Sequence, residues 1–192
     1  MKLKNKVAIV TGGGKGIGEE ICLGLVKEGA KIVIADLDIK NSSNVIKTIT
    51  QNGGDAIYVE TNVSNEQSVK NLISETLKQF KQIDILINNA GIRHVKKLED
   101  HNLNDWNDMI SVNLTGPYIC CQAVIPQMKK IGKGKIINFG SIASFMGRPD
   151  RVGYVAAKSG ILGLTRALAI DLKGTNINLS LIHISEPTRQ EA

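Results

Sequence analysis

Short, continuously apolar runs alternating with amphipathic helical patterns constrain this chain more than any other feature. Val7–Val10, Lys31–Ala35, Ala56–Val59, Ile83–Ile87 and Lys135–Phe139 read as strands. Their apolar residues are consecutive rather than alternate, which implies a sheet buried on both faces. Between them the periodicity becomes helical. In Gly16–Lys27 the residues Ile17, Ile21, Leu25 and Val26 recur at helical spacing, and Gly29 supplies a stop. Asp38–Gln51 and Glu66–Phe80 follow as helices. A longer one is expected from Leu103 to Lys130, disturbed near Gly116 and Pro117. Another carries Tyr154 and runs to about Leu172, and a sixth strand is expected to begin at Asn176. This alternation predicts an α/β fold: a doubly wound parallel sheet, Rossmann-like, in a single domain.

The 192 residues suffice for one well-packed core. The formal charge is +6, but the lysines are interspersed with Asp and Glu. No basic stripe interleaved with aromatics is present, so no nucleic-acid partner is expected. Cys22, Cys120 and Cys121 fall inside apolar helical patterns, with neither metal-ligand nor disulfide-framework spacing. Buried reduced thiols and no metal site are expected. No apolar run is long enough to span a bilayer, and no signal-peptide core follows the N-terminus. A cytoplasmic protein without a membrane partner is the expectation.

The segment Thr11-Gly12-Gly13-Gly14-Lys15-Gly16-Ile17-Gly18 joins the first strand to the first helix. Glycine lets backbone approach a pyrophosphate closely, and a helix N-terminus offers free N–H groups and a positive dipole end. A glycine cluster by itself also arises for conformational reasons alone. Here a strand precedes it, a helix follows, and Asp36 ends the next strand, as a dinucleotide fingerprint requires. The spacing departs from G-x-G-x-x-G, with three residues between Gly12 and Gly16. Asp36 would accept hydrogen bonds from a ribose diol and repel a 2′-phosphate, favouring NAD. Lys15 keeps NADP open, because a cation in the loop could offset that phosphate.

Tyr154 and Lys158 are four residues apart, on one helical face. An ammonium beside a phenol favours the phenolate, making tyrosine a usable proton donor and acceptor. Two surface neighbours on a helix is the ordinary alternative. Ser141, upstream on a strand end, together with the glycine loop, tips the balance toward catalysis.

These motifs, in this order, resemble the classical short-chain dehydrogenase/reductase family. They are the glycine segment, Asp36, Asn62-Val63, Asn88-Asn89-Ala90-Gly91, Asn113, Ser141, and Tyr154 with Lys158. The resemblance spans residues 4–178, and 3-oxoacyl-carrier-protein reductases and sugar or polyol dehydrogenases look most similar. It implies an NAD(P)-dependent oxidoreductase interconverting a ketone and a secondary alcohol, with a small-molecule substrate. It assigns Gly12, Gly14, Lys15, Gly16, Ile17, Gly18, Asp36, Asn62, Val63 and Asn89 to the cofactor, with Tyr154 and Lys158 shared between cofactor and chemistry. Ser141 and Tyr154 would bind the carbonyl oxygen. Asn113 would bend its helix and hold a water leading to Lys158, or else simply bond its helix to a loop. A non-catalytic dinucleotide-binding protein, or an inactive truncated fragment, is the alternative reading.

The resemblance also implies a longer full-length form, expected to be a homodimer or homotetramer. In this chain the expected lid and last strand do not follow the sixth strand. Residues 179–189 instead resemble the translation of a transposase mosaic-end sequencing adapter. The expectation is therefore a catalytic domain over 1–178 and an artefactual tail over 179–192, with His183 neither ligand nor base. Arg93, His94, Phe145, Met146 and Arg148 are pocket-edge candidates, each equally readable as loop surface.

Overall fold

The computed structural model describes residues 1–184. Residues 185–189 of the adapter-like stretch, and the rest of the expected tail, lie outside them. Six strands, β1 (Val7–Thr11), β2 (Lys31–Asp36), β3 (Ala56–Glu60), β4 (Ile85–Asn88), β5 (Gly134–Ser141) and β6 (Ile177–Ile184), form one parallel sheet. Its order is β3-β2-β1-β4-β5-β6. Six helices connect them: α1 (Gly16–Lys27), α2 (Ile39–Gln51), α3 (Glu66–Phe80), α4 (Leu103–Ile110), α5 (Gly116–Ile131) and α6 (Val152–Asp171).

The consecutive apolar residues of each strand feed two cores. Val7 and Ile9 of β1 join residues of α3 and α5, including Leu72, Cys120 and Met128. Ala8 and Val10 pack on the opposite face with Cys22 of α1 and with Val45 and Ile49 of α2. All three thiols are buried. Burial raises each of them, Cys22 and Cys121 to about 12.

Strand ends shift from the sequence expectation by one or two residues, and three differences stand out. β4 starts at Ile85 rather than Ile83, because Asp84 turns its carboxylate to Lys6 Nζ (2.8 Å) and to the Val7 N–H (3.0 Å). The long helix is disturbed one turn before Gly116, where Ser111–Thr115 widen into a π-turn around Asn113. β6 begins at Ile177 and continues past residue 178, pairing Leu179 with Ile136 and Ile184 with Ser141. Among the described residues no helix is long and apolar enough to cross a membrane.

Strand order reverses between β1 and β4. The crevice outside their carboxyl ends is the topological switch point, where open α/β sheets hold ligands.

Candidate active site

At the end of β1, Thr11 pairs in register with Asn88 of β4. The Thr11 hydroxyl accepts the N–H groups of Asn89 (3.1 Å) and Ala90 (3.0 Å) and donates to Ile87 O (3.3 Å). The Asn89 amide donates back to Thr11 O and Gly12 O, both at 3.0 Å. The glycine loop is thus tied to the segment after β4. Two glycines are required by packing and conformation. A Cβ at Gly18 would collide with the Gly12 carbonyl oxygen, whereas Gly16 has a φ of +57° with open space where a Cβ would stand.

Asp36 ends β2 and is held by backbone on both oxygens. Gly14 N–H donates to Oδ2 (2.9 Å) and Asp38 N–H to Oδ1 (3.0 Å). Asp36, Lys15, Asn62, Val63, Gly12 and Asn89 line a cleft of about 410 Å3. Asn62 accepts from Ser64 N–H (3.0 Å) and its hydroxyl (2.7 Å), fixing the turn after β3. Val63 lies against Gly116, where a Cβ would come within 2.8 Å of it.

An adjoining cleft of about 500 Å3 is lined by Ile17, Asn89, Asn113, Phe139, Tyr154 and Lys158, among others. Asn89 and Gly91 border both clefts. Lys158 is buried, and its Nζ donates to Phe139 O at 2.7 Å. Desolvation pulls its ammonium down to about 8. Nζ also lies 5.9 Å from the centroid of the Tyr154 ring, one helical turn earlier. Ser141 closes β5 beside Gly140 and is not among the residues lining this cleft. Its Oγ accepts Ala143 N–H at 3.1 Å, leaving the hydroxyl hydrogen free to donate.

Asn113 makes the helix-to-loop bonds of the plainer expectation. Its Nδ2 donates to Ile92 O and Met109 O, both at 3.0 Å, and its Oδ1 accepts Ile92 N–H at 3.2 Å. It therefore anchors the segment after β4 to the π-turn. Gly14, Gly16 and Gly18 shape the loop and do not line either cleft. Among the pocket-edge candidates, Arg93 borders the Tyr154 cleft.

Sequence reasoning named Asn88 within its motif but passed over its partners Asn138 and Thr165. Asn88 Nδ2 donates to Asn138 Oδ1 (2.8 Å), and Asn138 Nδ2 to Thr165 Oγ1 (2.9 Å). All three are buried, and they join β4, β5 and α6. The signal was an asparagine inside the apolar run of β5, a position where an unpaired amide would be costly. No group of three or more His, Cys, Asp or Glu that could hold a metal occurs among the described residues.

The short chain dehydrogenase family model matches residues 6–186. An uncharacterized oxidoreductase of Thermotoga maritima is 40% identical over 177 residues, covering 92% of this chain and 69% of that protein. A 3-oxoacyl-[acyl-carrier-protein] reductase of Synechocystis is 39% identical over 181 residues, covering 94% and 73%. A crystal structure from Sinorhizobium meliloti, provisionally described as a short-chain alcohol dehydrogenase, superposes with a TM-score of 0.93 at 31% identity. It covers 100% of this chain and 76% of that one. The chain belongs to the short chain dehydrogenase family, and its Rossmann-like sheet is that of an oxidoreductase of that family.

Proposed function

We propose that this oxidoreductase interconverts a ketone and a secondary alcohol, with NAD as its hydride carrier and Tyr154 as general acid and base. The observation that carries the reading is the Lys158–Tyr154 pair, in a cleft that Asn89 joins to the Asp36 cleft. The residues fit a dinucleotide. Gly16 leaves backbone open at the helix start, and Asp36 presents a fixed carboxylate.

When bound, the nicotinamide ring supplies or accepts the hydride. The chain's own residues do the rest. Tyr154 gives its phenolic proton to the carbonyl oxygen as charge develops there, and recovers it in the reverse direction. Lys158 spends one N–H on Phe139 O, which leaves two for the cofactor ribose and for stabilising phenolate. Ser141 follows Gly140, which lines the cleft, and from that edge donates its free hydrogen to the same carbonyl oxygen. Asn113 acts as a positioning residue, holding the loop that borders the cleft.

Preference for NAD follows from charge. Asp36 and Asp38 face Lys15 in one cleft, so a 2′-phosphate would meet two carboxylates and one ammonium. Each Asp36 oxygen accepts one backbone N–H and retains capacity for a ribose hydroxyl.

Tyr154→Phe tests the proposal. Turnover should fall by about 10²–10⁴-fold while NADH affinity, measured by fluorescence titration, stays within about threefold. Turnover that survives the substitution would remove Tyr154 from the chemistry.

A further inference from the structure

Beside the catalytic cleft lies a second hollow, of about 570 Å3. It is walled by Lys96, Lys97 and Glu99 from the segment after β4, and by Arg148, Asp150 and Arg151 ahead of α6. The two cavities have no lining residue in common, but both draw on the segment after β4 and on the first turn of α6. Residues Ile92 and Arg93 border the first and Lys96 to Glu99 the second, while Tyr154 lines the first and its neighbour Val155 the second. A hydrogen bond from Lys96 N–H to Asp150 O (2.9 Å) fastens one wall to the other.

Four cations meet two carboxylates in this hollow. Lys96 is committed, with both oxygens of Asp105 at 2.8 Å from its Nζ. Lys97, Arg148 and Arg151 have no carboxylate at ion-pair distance among the described residues. The Arg151 Nε is buried and has no acceptor among the described residues. A buried donor on a charged fork is satisfied only by an incoming acceptor or by water. Arg151 also immediately precedes α6, whose first turn no side chain caps, so the positive end of a 20-residue helix adds to the field. The planar guanidinium fork matches carboxylate and phosphate oxygens.

We propose that this hollow binds a carboxylate or phosphate ester at the far end of the carbonyl substrate, so that the enzyme selects anionic oxo-compounds. The assignment to the substrate rests on the hydride-transfer reading above.

The test uses the full chain. Inorganic phosphate is titrated by calorimetry, and kcat/KM is measured for matched oxo-compounds with and without a terminal carboxylate. Arg148→Gln and Arg151→Gln should each weaken phosphate binding and lower the charged-to-neutral ratio of kcat/KM by about tenfold, chiefly through KM. Arg151→Lys, which keeps the charge, should retain most of that ratio, and thermal melts verify folding. Phosphate binding that survives both glutamine variants, with an unmoved ratio, overturns the proposal. Arginine-dependent phosphate binding with an unmoved ratio marks a free-anion site and overturns the substrate assignment. If no oxo-compound turns over while phosphate binding still needs the arginines, the hydride-transfer reading and the substrate assignment fall together, and the anion pocket stands.

Discussion

Lys158 concentrates the cost of the site in one side chain. Folding removes its ammonium from water, and the single bond to Phe139 O does not restore what hydration gave. Its folded value is about 8 against an ordinary 10.5. Below pH 8 both folded and unfolded chains hold the proton, and the full penalty of burying charge applies. Between about 8 and 10.5 the unfolded chain binds a proton that the folded one does not, so stability rises with pH across that window. Lys158→Met removes this dependence. The stability difference between wild type and variant, from urea denaturation at pH 7 and pH 10.5, should change by about 2–3 kcal/mol in that direction. A glycine carries the opposite kind of constraint. Gly18→Ala places a methyl against the Gly12 carbonyl, and we expect a loss of at least ~2 kcal/mol with weakened NADH binding. Calorimetric melts with and without NADH check it.

Among the elements, the π-turn between α4 and α5 separates what periodicity predicts from what packing demands. Apolar spacing runs through 103–130 as one helix, and Gly116-Pro117 looked like the weak point. Proline at the first turn of a helix costs nothing, however, because its missing N–H would have no intrahelical partner there. The disturbance falls in the turn just before Gly116, at the Asn113 that the resemblance gave as bending its helix, where the amide reaches Ile92 and Met109. Asn113→Ala leaves Ile92 N–H and two carbonyls short of partners. It should destabilise the chain by about 1–3 kcal/mol and speed amide exchange at Ile92, read by hydrogen-exchange mass spectrometry. The strands were legible to within two residues because each is a consecutive apolar run. The two-residue shift at the start of β4 has a cause local periodicity does not carry, since Asp84 answers to Lys6 and Val7, which are 77 or more positions away in sequence.

At the scale of the whole molecule, the two cores on either side of the sheet hold the thiols out of reach. Cys22, Cys120 and Cys121 are buried, and burial keeps each protonated well past neutrality. No thiol should react with Ellman's reagent in the folded protein at pH 8, and all three should react in guanidinium. Fast labelling of any of them without denaturant would show that its core opens locally. Their placement was readable from sequence, because a cysteine at an apolar helical position has little else to do than pack. The polar chain Asn88–Asn138–Thr165 was not, since its members lie 27 and 50 residues apart and only the sheet brings them together.

Local pattern along the chain was enough for the layers, the glycine loop and the choice of residues proposed to carry chemistry. Those depend on local periodicity and residue type, which the chain states directly. Tertiary structure alone decided how these groups are used. It fixes the Asp36 carboxylate on two backbone N–H groups and turns Asn113 to a loop. It buries the Lys158 ammonium against Phe139 O, and it opens a hollow rich in arginine and lysine between the segment after β4 and the start of α6. Each of these depends on long-range approach, where desolvation and hydrogen-bond satisfaction outweigh any preference written along the chain.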